Sequence, residues 1–216
     1  TPPIASPQTL AYRHTAKLAV RPSSTERPLI GLFRPGTHEV IEIAQCPVQT
    51  EAINTLIETL REEMAHLHIR AYDERTFEGL IRYVVARESS VTGTLNLTLV
   101  VTDLEQKILL TLGERLMTRV PALIGIQAHE NTTRGNAIFD TSGVDRCLIG
   151  SSTLQEAIQG LTLQVSSTSF YQVNPSVATL AYQAVVDALA PRPGERALDL
   201  YCGVGSIGLL LARAGC

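Results

Sequence analysis

The sequence predicts an α+β protein with a ferredoxin-like centre and the opening of a Rossmann-like α/β unit at its C-terminal end. Three observations carry that prediction. Short segments of alternating or continuous apolar character, bounded by Gly, Pro and Thr turns, recur along most of the chain. From about residue 38 onward the elements run βαββαβ, the order of a split βαβ motif. Near the end, LDLYCGVGSIG (residues 198–208) runs an apolar stretch into a glycine-rich turn.

Residues 1–11 contain Pro and Ser and read as an irregular segment. YRHTAKLAV, PLIGLFR and HEVIEIA then read as three short strands, the last two joined around Pro35-Gly36-Thr37. From Val48 to His68 the apolar positions Ile53, Leu56, Ile57, Leu60, Met64 and Leu67 fall at helical spacing. LIRYVVARES and TLNLTLVVT flank Val91-Thr92-Gly93 and predict a β-hairpin. LEQKILLTLGERLMTRV is a second amphipathic helix, and ALIGIQAH a further strand. GNAIFD, DRCLIG and LTLQVSSTSF read as β segments between turns. NPSVATLAYQAVVDALA predicts a helix with Asn174 as N-cap and Pro175 at its first position. RALDLY then predicts a buried strand, and SIGLLLARAG the start of another helix. The expected division is 1–11 irregular, 12–165 a central α+β domain, and 166–216 the beginning of a second domain.

The chain has 216 residues, 44% of them hydrophobic, and a net charge of −3. That is enough apolar material for a core, and nucleic-acid binding would need a local basic patch rather than a global field. The N-terminus lacks the basic and apolar regions of a signal peptide, and no apolar run is long enough to span a membrane. Four unpaired-looking cysteines fit a reduced, cytoplasmic protein. The chain begins without Met and stops one helix after the glycine turn, which reads as a piece of a longer protein. It is expected to be monomeric and not to bind membranes.

Gly203, Gly205 and Gly208 spell G-x-G-x-x-G, the pattern of a dinucleotide-binding turn. The acidic ribose-binding residue that should follow about 20 positions later falls beyond residue 216. Asp199 instead sits four residues before Gly203. A carboxylate there suits an ammonium-bearing ligand or holds the loop, and is poorly placed to meet a pyrophosphate. S-adenosylmethionine carries an amino-acid moiety and a sulfonium and no phosphate, and the glycines let backbone pass close to it. A plain strand-to-helix turn with glycines for packing is the alternative.

The stretch SFYQVNPSVATLAYQAVVDAL…GERALDLYCGVGSIGLLLA resembles the RNA uracil-C5 methyltransferase family, whose members share F-x-Q-V-N-P, a helix, and D-L-Y/F-C-G-x-G. YRHTAKLAVR, GLFRPGTHEVIEIAQCPVQ, IRYVVARESSVTGTLNLTLV and GIQAHENTTRGNAIFD are similar to that family's central domain. The resemblance implies that residues 166–216 open a class I methyltransferase domain binding S-adenosyl-L-methionine. It points to Gln172 and Tyr201 as cofactor contacts and to Ser206 at a third position, where many relatives carry Asn or Thr. Asp199, Gly203 and Gly205 complete the expected cofactor set. The resemblance also implies a Cys thiolate that adds to C6 of uracil and a carboxylate base that removes the C5 proton. Both are expected after residue 216, so no catalytic residue is assigned here and the 216-residue chain alone is expected to be inactive.

Some relatives hold a [4Fe–4S] cluster with one cysteine in the C-P-V position that Cys46 occupies. Four thiolates are needed, and the other three would precede Thr1, so Cys46 is a candidate fourth ligand or a small buried thiol. Cys147 reads as a core residue, Cys202 as a non-reacting neighbour of the glycine loop, and no histidine as a metal ligand. For RNA, Arg13 and Lys17 share one face of a strand. His14, Arg21, Arg34, Arg82 and Arg87 add positive charge, with an ordinary solvated face as the alternative reading. The expected activity is methylation of uridine C5 in RNA, in ribosomal RNA ahead of transfer RNA. An NAD-dependent oxidoreductase and a non-catalytic RNA-binding module are the rivals from other classes.

Overall fold

The structure, a computed structural model, describes residues 3–135, 137–166 and 168–216. Seven strands form one sheet: β1 (Thr15–Arg21), β2 (Leu29–Phe33), β3 (Val40–Glu42), β4 (Ile81–Glu88), β5 (Leu95–Val101), β6 (Leu123–Glu130) and β7 (Asp145–Gly150). Helix α1 (Glu51–His66) follows β3, and α2 (Ile108–Arg119) joins β5 to β6. A separate hairpin, β8 (Thr153–Ile158) and β9 (Leu161–Ser166), precedes α3 (Pro175–Leu189) and α4 (Ser206–Ala214).

The spatial order is β3-β2-β1-β4-β5-β6-β7, with all pairs antiparallel except the parallel β5–β6. This corrects the ferredoxin-like expectation. A split βαβ inserts a strand between the two that a helix joins, whereas α2 here joins neighbours. Helix α1 leads from the edge strand β3 to β4, three places away and opposite in direction. The reason lies in β1. It pairs with β4 from Thr15–Arg87 to Ala19–Tyr83 and with β2 on its other edge, and so separates β2 and β3 from β4.

One face of the sheet carries Leu18, Val20, Ile30, Val84, Leu97, Leu99 and Ile126, all at most 2% exposed, against Leu56, Leu60, Leu112 and Leu116 of α1 and α2. Thr50 caps α1 by accepting from the Ile53 amide, and Asn174 caps α3 by accepting from Val177, with Pro175 following as expected. The opposite face is shared by two covers. The 131–144 loop lays Ile138 and Phe139 over Tyr83 and Val100. The β8–β9 hairpin lays Leu154 and Val165 near Val85 and Thr98. A second small core of Ile158, Leu163, Val165, Tyr171 and Leu210 joins that hairpin to α3 and α4.

Three local expectations need correction. GNAIFD forms no strand among its described residues; Asn131, fully buried, donates from Nδ2 to the carbonyls of Ala137 and Ile138 and fixes that stretch as a loop. Cys147 is exposed on the edge strand β7 rather than buried. RALDLY also forms no strand, and Leu198, Leu200 and Tyr201 are 83, 70 and 104% exposed. A single extended segment without a neighbour to complete its hydrogen bonds has nothing to hold it as β structure. No helix of the described residues is long and apolar enough to cross a membrane.

Candidate cofactor and nucleic-acid sites

The Q-V-N-P stretch is held on the sheet from both ends. Arg87, buried on β4, donates to the Ser166 and Ser169 carbonyls at 2.9 Å each. The His14 amide, just before β1, donates to the Val173 carbonyl at 2.9 Å. Between these anchors Tyr171 points into the second core and Gln172 is exposed. Burial raises the Tyr171 phenol well above its ordinary value, with the Glu156 charge adding to the effect. Glu156, itself buried, accepts from the Ser90 amide and hydroxyl, and burial pushes its carboxyl up.

The glycine turn is organised by Asp199. Its Oδ2 accepts from the Gly208 amide at 3.0 Å, in the first turn of α4. The N-cap of α4 is Gly205, which has no side chain to cap with, so a carboxylate from nine residues upstream fills that role near the positive end of the helix. Gly203 and Gly205 have φ of +59° and +80°, and a Cβ at Gly203 would meet nothing within 4 Å. Backbone conformation demands the glycines, and the space above them is open. Tyr201 also lies in the left-handed region, at φ +59°, with its ring in solvent.

Tyr182, on α3, links the two halves of this region. Burial raises its phenol, and the adjacent Ser206 and Gln172 pull it partly back. Two of the expected contacts, Gln172 and Ser206, are therefore neighbours of one side chain although 34 positions apart in sequence. The Ser206 hydroxyl is buried beside the Tyr182 phenol, with no partner at ordinary hydrogen-bond distance among the described residues.

The basic residues divide sharply. Arg21, Arg82 and Arg87 are buried, so the surface role expected of them is corrected; each serves carbonyls or carboxylates inside the fold. Arg34 pairs with Glu39 at 2.9 Å. Arg13 lies outside β1, half-buried in an isolated bridge to Gln49, whereas Lys17 is the exposed position of β1, and neither forms a salt bridge among the described residues. Lys17 Nζ sits 5.8 Å from the Phe139 ring centroid, and burial followed by the Arg87 charge lowers its pKa.

Cys46 is half-buried at the rim of a cavity of about 980 Å³ beside α1, also lined by Glu42, Asn54, Glu58 and Arg61. Its amide donates to Asn54 Oδ1 at 3.0 Å, and its carbonyl accepts from Asn54 Nδ2 at 3.1 Å. Among the described residues no group of three or more His, Cys, Asp or Glu could hold a metal ion. One thiol does not fit a cluster that needs four, so these residues alone do not form an iron–sulfur site.

The chain is 34% identical over 207 residues to an uncharacterized RNA methyltransferase of Geobacter sulfurreducens, covering 96% of this chain and 41% of that protein. It is 31% identical over 217 residues to one of Nostoc, covering 98% and 46%, and 33% identical over 204 residues to one of Streptococcus agalactiae, covering 94% and 45%. The chain is homologous to RNA methyltransferases. It spans less than half the length of these curated relatives. No family model matches it. Its fold is similar to the crystal structure of Pyrococcus abyssi tRNA (uracil-54, C5)-methyltransferase in complex with S-adenosyl-L-homocysteine. That similarity has a TM-score of 0.77 at 24% identity and covers 98% of this chain and 48% of the other.

In this RNA methyltransferase homologue, Gln172 and Ser206 come together, Asp199 braces the turn, and Tyr201 stands free in solvent. Sequence reasoning missed Tyr182, which reads as one more apolar position of a helix. Its signal was available: a phenol in an Ala- and Val-rich helix buries a hydroxyl that needs a polar neighbour.

Proposed function

We propose that this chain is part of an S-adenosylmethionine-dependent enzyme that methylates C5 of a uridine in RNA. The observation that carries the reading is the glycine turn, open above Gly203 and braced by the hydrogen bond from the Gly208 amide to Asp199. The sequence resemblance and the homologous RNA methyltransferases support it. When bound, S-adenosylmethionine supplies an electrophilic methyl group. The residues of this chain bind and orient: the Gln172 amide offers donors and an acceptor to the amino-acid moiety, Ser206 a hydroxyl, and Tyr201 a ring wall. Asp199 keeps the turn open by capping α4. Arg13 and Lys17 are the proposed phosphate contacts. Residues 12–165 are the RNA-contacting domain and 166–216 the start of the cofactor domain. On this reading the nucleophilic thiolate and the base lie beyond residue 216, and the target uridine must be exposed or flipped to reach them.

The test uses the full-length polypeptide that contains this chain. Calorimetry should detect binding of S-adenosylmethionine or S-adenosylhomocysteine, weakened by Gln172→Ala and Ser206→Ala and abolished by Gly205→Val, with no NAD binding. Tight NAD binding with no response to S-adenosylmethionine overturns the reading. Transfer of radiolabelled methyl groups to unmodified ribosomal or transfer RNA then separates the two substrates, with ribosomal RNA the expected acceptor.

A further inference from the structure

Two loops, residues 72–79 and 131–140, meet at one end of the sheet, and two arginine–aromatic pairs join them. The inner pair is buried. Arg82 lies 4.5 Å from the Tyr72 ring centroid and donates to the carbonyls of Asn131, Thr133 and Gly135 at 2.6, 2.6 and 3.2 Å. The second loop is clamped again by His129, whose Nε2 accepts from the Asp140 amide at 2.9 Å while Nδ1 faces Asp145 at 2.8 Å. The first loop is closed by Asp73, whose carbonyl accepts from the Phe77 amide and whose side chain accepts from the Arg75 amide.

The outer pair behaves differently. Arg134 returns from the second loop to lie 4.1 Å from the Phe77 ring centroid. Yet Phe77 keeps 47% of its surface in solvent and Arg134 is exposed. Phe77 also sits at φ +62°, a region that a bulky side chain rarely adopts. Among the described residues Arg134 makes no salt bridge, as is also true of the exposed Arg192 and Arg196. The inner pair already ties the loops together, so a clasp does not require a second, strained, half-exposed aromatic with an uncompensated charge.

We infer that the outer surface of the Phe77–Arg134 pair is a stacking platform for an unpaired nucleobase of the RNA. The inference rests on the RNA methyltransferase reading. Base faces stack on aromatic rings and on guanidinium planes, and the free charge attracts the adjoining phosphate. Neither group reads a base edge, so the platform is tolerant of sequence and positions the strand while other contacts choose the target. It lies apart from the glycine turn, on loops held rigid from beneath.

The probe is an unstructured oligouridylate carrying 4-thiouridine, mixed with the full-length polypeptide that contains this chain and irradiated. Trypsin cuts after Arg75 and Arg82, so an adduct on Phe77 appears on the peptide Thr76–Arg82. Phe77→Asn removes the ring and suits a left-handed backbone. It should weaken oligonucleotide binding at least about fivefold with an equal or higher thermal midpoint, a combination that loss of a structural contact does not produce. Arg134→Gln should weaken binding more at low salt than at high salt. Unchanged affinity in Phe77→Asn, with adducts only on other peptides, removes the platform and leaves the RNA reading standing. Failure of the parent full-length polypeptide to bind any RNA removes both.

Discussion

Residues 81–88 (IRYVVARE) and 196–201 (RALDLY) carry similar sequence, an apolar run with an arginine and a carboxylate, and they meet opposite ends. The first is the central strand β4, paired to β1 and β5 and buried at seven of its eight positions. The second is irregular, with both leucines and the tyrosine in solvent. The difference teaches that a buried strand is a property of its neighbours. Its own residues supply only compatibility with that place, because main-chain hydrogen bonds in a sheet are made to other strands.

The strongest way to break the comparison is to make the same substitution in the sheet around β4 and in RALDLY. Leu97→Ala, on the strand beside β4, should cost about 3 kcal/mol through lost burial and a cavity. Leu198→Ala should change stability by less than about 0.5 kcal/mol. Urea denaturation of both variants measures the pair, and equal losses would mean that RALDLY is packed in solution. A smaller effect sharpens the picture around the turn. Asp199→Ala removes the cap of α4, worth about 1 kcal/mol, and should speed hydrogen exchange at Gly208 while leaving the amides of β4 and β5 unchanged. The smallest effect concerns Glu156, where the hairpin meets the sheet. Burial holds its folded carboxyl above the ordinary range, with Ser90, His14 and Arg87 opposing. Between the unfolded and the higher folded pKa the native state keeps a proton that the unfolded chain has released. Stability from this group is therefore full below the window and falls as pH rises through it. Glu156→Gln should flatten that decline, converging with the parent below the window and exceeding it above the window in pH-dependent unfolding.

Much of the fold was legible because it is local. The β4–β5 hairpin follows from two apolar runs around Val91-Thr92-Gly93, and α1 and α3 from periodicity and caps. Strand β8 was overlooked because the buried Glu156 breaks the apolar alternation of TLQEAI, although Gln159-Gly160, at φ +47° and +80°, makes the tight turn into β9. The sheet order was not legible, since nothing near β1 says that its partner lies more than 60 residues on. Charge misled in the same way. Arg82 and Arg87 stand inside a run that is apolar on both faces, which marks a strand covered on both sides, and their guanidinium groups satisfy loop carbonyls instead of phosphates. At the cofactor turn the motif residues were visible, but the meeting of Gln172 with Ser206 depends on how α3 packs against α4 and so could be seen only in three dimensions.

The pairing of β1 with β4 also sets an order of events in time. Thr15 pairs with Arg87 and Ala19 with Tyr83, so β1 leaves the ribosome long before the strand that completes it exists. Until then β1, β2 and β3 have only one another to pair with in this sheet, and the edge of β1 that β4 will cover stands open. Synthesis at about 5–20 residues per second puts several seconds between the two strands. During that interval the nascent meander is a surface for chaperones or for the wrong strand, and the β4–β5 hairpin, which is local and quick to form, is the event that closes it.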